Sequence, residues 1–193
     1  PIDQGGSKRE ALLERVRSDL ARDGCAVIKR FLTPSGIDAL AREAESVADK
    51  GHRSFNRTNA YFTKEDPSLP ADDPRRQFFD RSNAFVPADN FSKDGPLRTI
   101  HDSPGFDQFI QDCLQEKDFY RYADPLADVI VNVAEEGNGF PWHFDTNNFT
   151  VTIAIQNAES GGAFEYAPRI REGDENFVEV GRVLRGTSDK VKV

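Results

Sequence analysis

The chain has 193 residues, of which 37% are hydrophobic and 30% charged, with three histidines, two cysteines and a net charge of −8. That length fits a single domain, residues 1–193, long enough to bury a substantial core. Lysine and arginine are dispersed under a net negative charge and no apolar run reaches the length of a bilayer span, which excludes a nucleic-acid footprint, an anionic membrane surface and a spanning helix, and leaves small molecules as the expected partners.

The opening residues lack the basic-then-apolar order of a secretory signal. Cys25 and Cys113 lie in apolar contexts without the spacing of a zinc knuckle, so two free thiols in a reducing compartment, the cytoplasm, are expected. Ser7-Lys8-Arg9-Glu10 has the pattern of a capping box, and Leu12, Leu13, Val16 and Leu20 follow at helical spacing until Gly24. Cys25 to Phe31 reads as a short buried strand. Thr33-Pro34 starts a second helix that carries Ile37, Leu40, Ala44 and Val47 on one stripe up to Gly51.

His52 to Ile100 is rich in Pro, Asp, Asn and Arg, with aromatic residues at no steady period, and reads as long ordered loops over a site. Ser103-Pro104 opens a helix with Phe106, Phe109, Ile110, Cys113 and Leu114 inward. Asp128 to Ala134 and Phe149 to Gln156 alternate apolar and other residues as strands do, and Gly161-Gly162 turns the chain into a further strand that Pro168 ends. Asp174 is the expected cap of a short helix bearing Phe177, Val180, Val183 and Leu184, and Glu172 to Glu179 reads as its solvated face. The sum is an α+β fold, with helices outside an antiparallel sheet or barrel.

The chemistry concentrates in Phe140-Pro141-Trp142-His143-Phe144-Asp145-Thr146-Asn147-Asn148-Phe149. On an extended strand residues two apart project from the same face, so His143 and Asp145 present an imidazole and a carboxylate side by side. With a third ligand from elsewhere they can hold one face of an octahedral metal and leave the other face open. A bare His-x-Asp is more often a surface ion pair or a strand-end turn, and the flanks decide between the two.

Those flanks resemble the iron(II) and 2-oxoglutarate dependent oxygenases. Three segments carry the likeness: the first helix running into Asp23-Gly24-Cys25-Ala26-Val27-Ile28-Lys29-Arg30-Phe31-Leu32, the block from Asn132 through Pro141-Trp142-His143-Phe144-Asp145, and the Gly161-Gly162-Ala163-Phe164-Glu165 turn. The run from His143 to Phe149 looks most like the branch that includes free-amino-acid hydroxylases and related lysine halogenases. The resemblance implies a double-stranded β-helix core, of jelly-roll or cupin-like type, with flanking N-terminal helices, and Fe(II) held by His143 and Asp145 at its mouth. It implies too that 2-oxoglutarate is decarboxylated to succinate, with dioxygen as co-substrate, while an unactivated C–H bond of a small polar molecule, a free amino acid or a derivative, is hydroxylated. Halogenating relatives replace the carboxylate ligand by a small residue, so Asp145 points to hydroxylation. The family also has a second histidine and, shortly after it, an arginine for the distal carboxylate of 2-oxoglutarate. Here no histidine follows His143, and the sequence is expected to stop before the last strands; His101 as a substitute ligand is the lesser alternative.

Further candidates surround this pair. Asn132, Thr152 and Trp142 are the expected cosubstrate-binding residues, against the plainer roles of a structural amide, sheet filling and a core indole. Thr150 reads as sheet filling too. Arg81, in Phe78-Phe79-Asp80-Arg81-Ser82-Asn83-Ala84-Phe85, is the candidate for gripping a substrate carboxylate, with an ion pair to Asp80 as the alternative; Asn147 and Thr146 are candidate substrate contacts that also suit a turn. Arg169 and Arg171 read as solvated charge, with replacement of the missing cosubstrate arginine as the lesser alternative. The rival functions are a non-catalytic small-molecule-binding barrel with a degenerate metal site, and a cupin-like metal enzyme that uses no 2-oxoglutarate.

Overall fold

The computed structural model describes residues 6–171 and 173–193 and mixes helix with a small sheet. The chain forms two compact units, one from the stretch up to Gly51 together with Phe85–Val131, the other from His52–Ala84 and Asn132–Val193. Among the described residues no helix is long and apolar enough to cross a membrane.

In the first unit, helix α1 spans Ser7–Asp23 and α2 spans Pro34–Val47. Ser7 does not cap α1 as expected: it is the first helical residue, and the Gly6 carbonyl accepts instead from Arg9 N at 3.0 Å and Glu10 N at 3.2 Å. The other end follows expectation, with Gly24 left-handed at φ 65° and its N–H on the Leu20 carbonyl. Thr33 caps α2 by accepting from Gly36 N at 3.1 Å, and Pro34 fills the first turn, where its missing N–H costs nothing. Two shorter helices follow, α3 over Pro96–His101 and α4 over Phe106–Leu114. The α3 helix is hidden within residues that read as loop, and its Leu97 N–H is capped from α2 by Glu43 Oε2 at 2.8 Å.

The core of this unit is Leu13 and Val16 of α1 against Phe109 and Cys113 of α4, with Phe109 wholly buried. Ala26, Ile28 and Phe31 pack on it while Val27 stays 64% exposed. Cys25 to Phe31 is nonetheless not a strand: Arg30 turns the chain at φ 58°, and alternation alone supplies no neighbour to pair with. Asp112 of α4 ties α1 to α4 through the guanidinium of Arg9 and, by its carbonyl, through Arg17 Nε at 2.8 Å.

The sheet has three antiparallel strands in the order β1 (His52–Thr58), β2 (Phe79–Val86) and β3 (Val131–Val133). Two of the three lie in the stretch expected to be loops. The side chains of β1 are largely polar and exposed, and β2 buries only Ala84 and Val86 at its end, so no sustained apolar period marks them, and ladder pairing makes them strands. Conversely, residues 149–156 form no ladder among the described residues; Ile153 and Ile155 are half-buried while Val151 is 51% exposed. Gly161 and Gly162 both take positive φ, as the expected turn requires, but only Tyr166 beyond them pairs, in a bridge to Lys192. No double-stranded β-helix is seen among the described residues.

Helix α5 spans Phe177–Leu184. Its cap is Asn176, two residues later than expected, while Asp174 accepts from Asn176 N at 2.7 Å and so holds the cap in place. Val180 and Val183 join Ile170, Trp142 and Phe144 in the core of the second unit. Of the expected solvated acidic face, Glu172 lies outside the described residues, and Glu179 is buried, bonded by Ser188 Oγ and Arg182. A buried carboxylate persists only with such partners.

Hydrogen bonding from Arg9 holds the Asp112 carboxyl below its ordinary value. A depressed folded-state value means stability present above the unfolded value of about 3.9 and lost as pH falls through the folded one. Urea unfolding across the carboxylate range, on the order of pH 2 to 7, is expected to gain stability with pH more steeply in the native chain than in Asp112→Asn. Parallel curves would contradict it.

Candidate functional site

The second unit assembles its chemistry on the segment from Gly139 to Thr150. Gly139 N bonds the Ser82 carbonyl of β2 at 3.0 Å, and Phe144 N bonds the Ala60 carbonyl at 3.0 Å, so the intervening residues are held at both ends. Between these anchors the His143 Nδ1 lies 2.7 Å from the Pro141 carbonyl oxygen. A carbonyl only accepts, so Nδ1 carries the hydrogen and the neutral ring bears its lone pair on Nε2. Nε2 faces Asp145 Oδ1 at 3.4 Å.

Two acceptors turned toward each other at this distance repel unless a cation lies between them. A proton on Nε2 or a metal ion meets that need. Adjacent corners of an octahedron with bonds of about 2.1 Å are about 3 Å apart, close to the observed separation. The second oxygen of Asp145 is not free: Thr150 Oγ1 donates to Oδ2 at 3.0 Å. The histidine side chain is 26% exposed and the aspartate 56%, so the pair opens toward solvent and a ligand can reach it. The donor pair is spaced to supply two neighbouring positions of an octahedral metal ion. Among the described residues no group of three His, Cys, Asp or Glu is placed to complete it. His101 is engaged elsewhere, at the end of α3, with Nδ1 at 2.7 Å from Asp102 and near Arg121.

Arg81 joins the neighbourhood through aromatic rings. Its Cζ sits 5.2 Å from the centroid of Phe62 and 5.4 Å from that of Phe140, and both rings also flank His143, at 5.6 and 6.3 Å. The expected alternative, an ion pair with Asp80, does not form among the described residues; neighbours on a strand point to opposite faces. Arg81 Nε is buried without a hydrogen-bond partner. The two rings hold the guanidinium by cation–π contact and fix its place beside His143.

The remaining candidates make no side-chain hydrogen bond with His143, Asp145 or Arg81 among the described residues. Asn132 is exposed on β3, Thr152 is exposed in the unpaired segment, and Trp142 packs into the Ile170, Val180 and Val183 core. Among the described residues, none of these three makes a hydrogen bond or ring contact with His143 or Asp145. Thr146 and Asn147 form an exposed bend directly after Asp145. Arg171 is not simply solvated: its Cζ stacks 3.7 Å from the Phe144 ring centroid.

Two contributors escape a reading of the sequence. Thr150 looks like sheet filling, yet it binds the acid. Asn59, 1% exposed, organises the turn that presents Phe62: its Oδ1 accepts from Tyr61 N and Thr63 N, and its Nδ2 donates to Thr63 Oγ1 at 2.8 Å and the Arg75 carbonyl at 2.6 Å. An asparagine bonding residues two and four ahead is an Asx-type signal available in Asn59-Ala60-Tyr61-Phe62-Thr63.

Tyr61, beside this turn, packs between Phe144 at 5.0 Å and Phe177 at 6.0 Å, with its hydroxyl buried and unpartnered. Burial pushes its phenol up to about 12. A raised folded-state value gives stability that is complete below the unfolded value near 10 and is lost as pH rises toward 12. Tyr61→Phe removes an unsatisfied buried donor and is expected to leave stability unchanged or raise it by about 1 kcal/mol at neutral pH, and to abolish the alkaline loss. Denaturant unfolding at neutral and alkaline pH checks both; a destabilised variant would mean that the hydroxyl has a partner. No family model, curated protein or solved structure matches the chain.

Proposed function

We propose that the protein is a mononuclear non-haem iron(II) and 2-oxoglutarate dependent dioxygenase that hydroxylates an unactivated C–H bond of a small, carboxylate-bearing polar molecule such as a free amino acid or its derivative. One observation carries the reading: the His143 tautomer fixed by the Pro141 carbonyl, with its Nε2 lone pair 3.4 Å from Asp145 Oδ1. Metal-binding histidines characteristically donate their other N–H to a carbonyl or carboxylate in this way. The likeness of the His143 to Phe149 run to amino-acid hydroxylases supports the same conclusion, and the reading carries with it a double-stranded β-helix to which the small sheet would belong.

When bound, iron(II) with 2-oxoglutarate and dioxygen supplies the oxidant that takes the substrate hydrogen, and 2-oxoglutarate departs as succinate. The chain's own part is geometry. His143 and Asp145 fix two neighbouring ligand positions, and Asp145, as a retained carboxylate, keeps the position that a halide would need. Arg81, between Phe62 and Phe140, binds the substrate carboxylate and sets its distance from His143. The exposed bend of Thr146 and Asn147 lies on the solvent side, where the substrate enters. Among the described residues Asn132, Thr152 and Trp142 make no contact that supports a cosubstrate role, and their assignment rests on their places in the sequence, on strand faces and beside the candidate ligand. We assign the enzyme to the cytoplasm on its two free cysteines, Cys113 buried and Cys25 partly so.

Succinate formed from 2-oxoglutarate with Fe(II) and dioxygen, across a panel of amino acids, is the test. His143→Ala is expected to abolish it. Arg81→Ala is expected to raise the substrate KM about tenfold or more while succinate formed without substrate persists, since a charge-assisted pair contributes about 1.5–3 kcal/mol. Full activity of His143→Ala would refute the metal assignment. Turnover independent of 2-oxoglutarate would select a cupin-like enzyme of another type, and neither iron binding nor succinate would select a non-catalytic binding barrel.

A further inference from the structure

We propose that Thr150 is a positioning residue for the metal: its hydroxyl holds one oxygen of Asp145 and so keeps the other turned to the His143 side, where it coordinates. The inference rests on the metal reading above and extends it to a residue that the family likeness does not assign.

Asp145 is 56% exposed, and an exposed carboxylate is free to rotate about its side-chain torsions. Among the described residues the Thr150 hydroxyl is the one donor to its side chain, at 3.0 Å on Oδ2, while Oδ1 is the oxygen that faces His143 Nε2 at 3.4 Å. The donor thus selects between two otherwise equivalent oxygens. It also favours coordination through Oδ1, because the hydrogen bond fixes the rotation of the carboxylate with Oδ2 on the Thr150 side. The bond spans five residues and closes the bend of residues 146–148, so the loop geometry that brings Thr150 back is the geometry that aims Asp145. Outer partners of this kind typically change metal affinity by about 10–100-fold when removed.

The test uses the full chain and Mn(II) as probe, with free Mn(II) followed by its paramagnetic resonance signal, and Co(II) absorption as a second readout of coordination. Thr150→Val and Thr150→Ala are expected to lose about tenfold or more in Mn(II) affinity, with a changed Co(II) spectrum, whereas Thr150→Ser, which keeps the hydroxyl, binds as the native chain does. Thr150 is exposed, and circular dichroism checks that each variant is folded. Equal affinity in native chain, Val and Ala variants overturns the Thr150 role and leaves the metal reading intact. A native chain that takes up no Mn(II) overturns the metal reading, and this inference with it.

Discussion

The hydrogen bond from His143 Nδ1 to the Pro141 carbonyl is the constraint on which the rest of the site depends. It determines which ring nitrogen holds the proton, and so which one offers a lone pair. Were the single proton on Nε2 instead, Nε2–H would simply donate to Asp145 with no need of a cation, but Nδ1 would then face the Pro141 carbonyl lone pair to lone pair. With the proton committed to Pro141, the imidazole and the carboxylate become two acceptors that need a shared positive charge. Pro141 is suited to its part: it has no N–H of its own, and its carbonyl lies two residues before the ring it orients.

Around that bond the second unit builds rigidity from short connections. Asn59, with both ends of its amide satisfied, fixes the turn through Tyr61, Phe62 and Thr63. That turn supplies the Ala60 carbonyl to Phe144 and the Phe62 ring to both His143 and Arg81. One buried amide therefore aligns the candidate metal ligand and the candidate anion-binding guanidinium together. Phe144, between His143 and Asp145 in sequence, packs against Tyr61 and Arg171 and joins the Ile170, Val180 and Val183 core, so the two candidate ligands stand on a segment whose intervening residue is anchored. Such support is what holds a catalytic constellation within the narrow tolerance that orientation demands.

Features governed by near neighbours along the chain are legible in the sequence itself. Thr33-Pro34 and Gly24 mark helix ends because capping is local, and the apolar stripes of α1, α2, α4 and α5 show which faces turn inward. Arg81 stands out as an arginine among aromatics, and rings clasp it. What depends on distant partners is not legible in this way. β1 and β2 have no sustained apolar period and are made strands by each other's edges, and residues 149–156 alternate well but have no edge to join among the described residues. Asn59 needs the Arg75 carbonyl, 16 residues on, and nothing in the local run announces that partner. Thr150 is hidden by its type: a β-branched residue in an alternating segment suggests packing, and its hydroxyl bond to Asp145 emerges only from the closed bend.

The most direct test of the central claim is paramagnetic broadening of the three histidine ring signals by Mn(II). The account predicts that the His143 resonances disappear at substoichiometric metal, while those of His52 and His101 survive, and that in the metal-free chain the His143 nitrogen shifts report a proton on Nδ1. Broadening of all three rings alike, none at all, or a proton found on Nε2 and none on Nδ1 would contradict it.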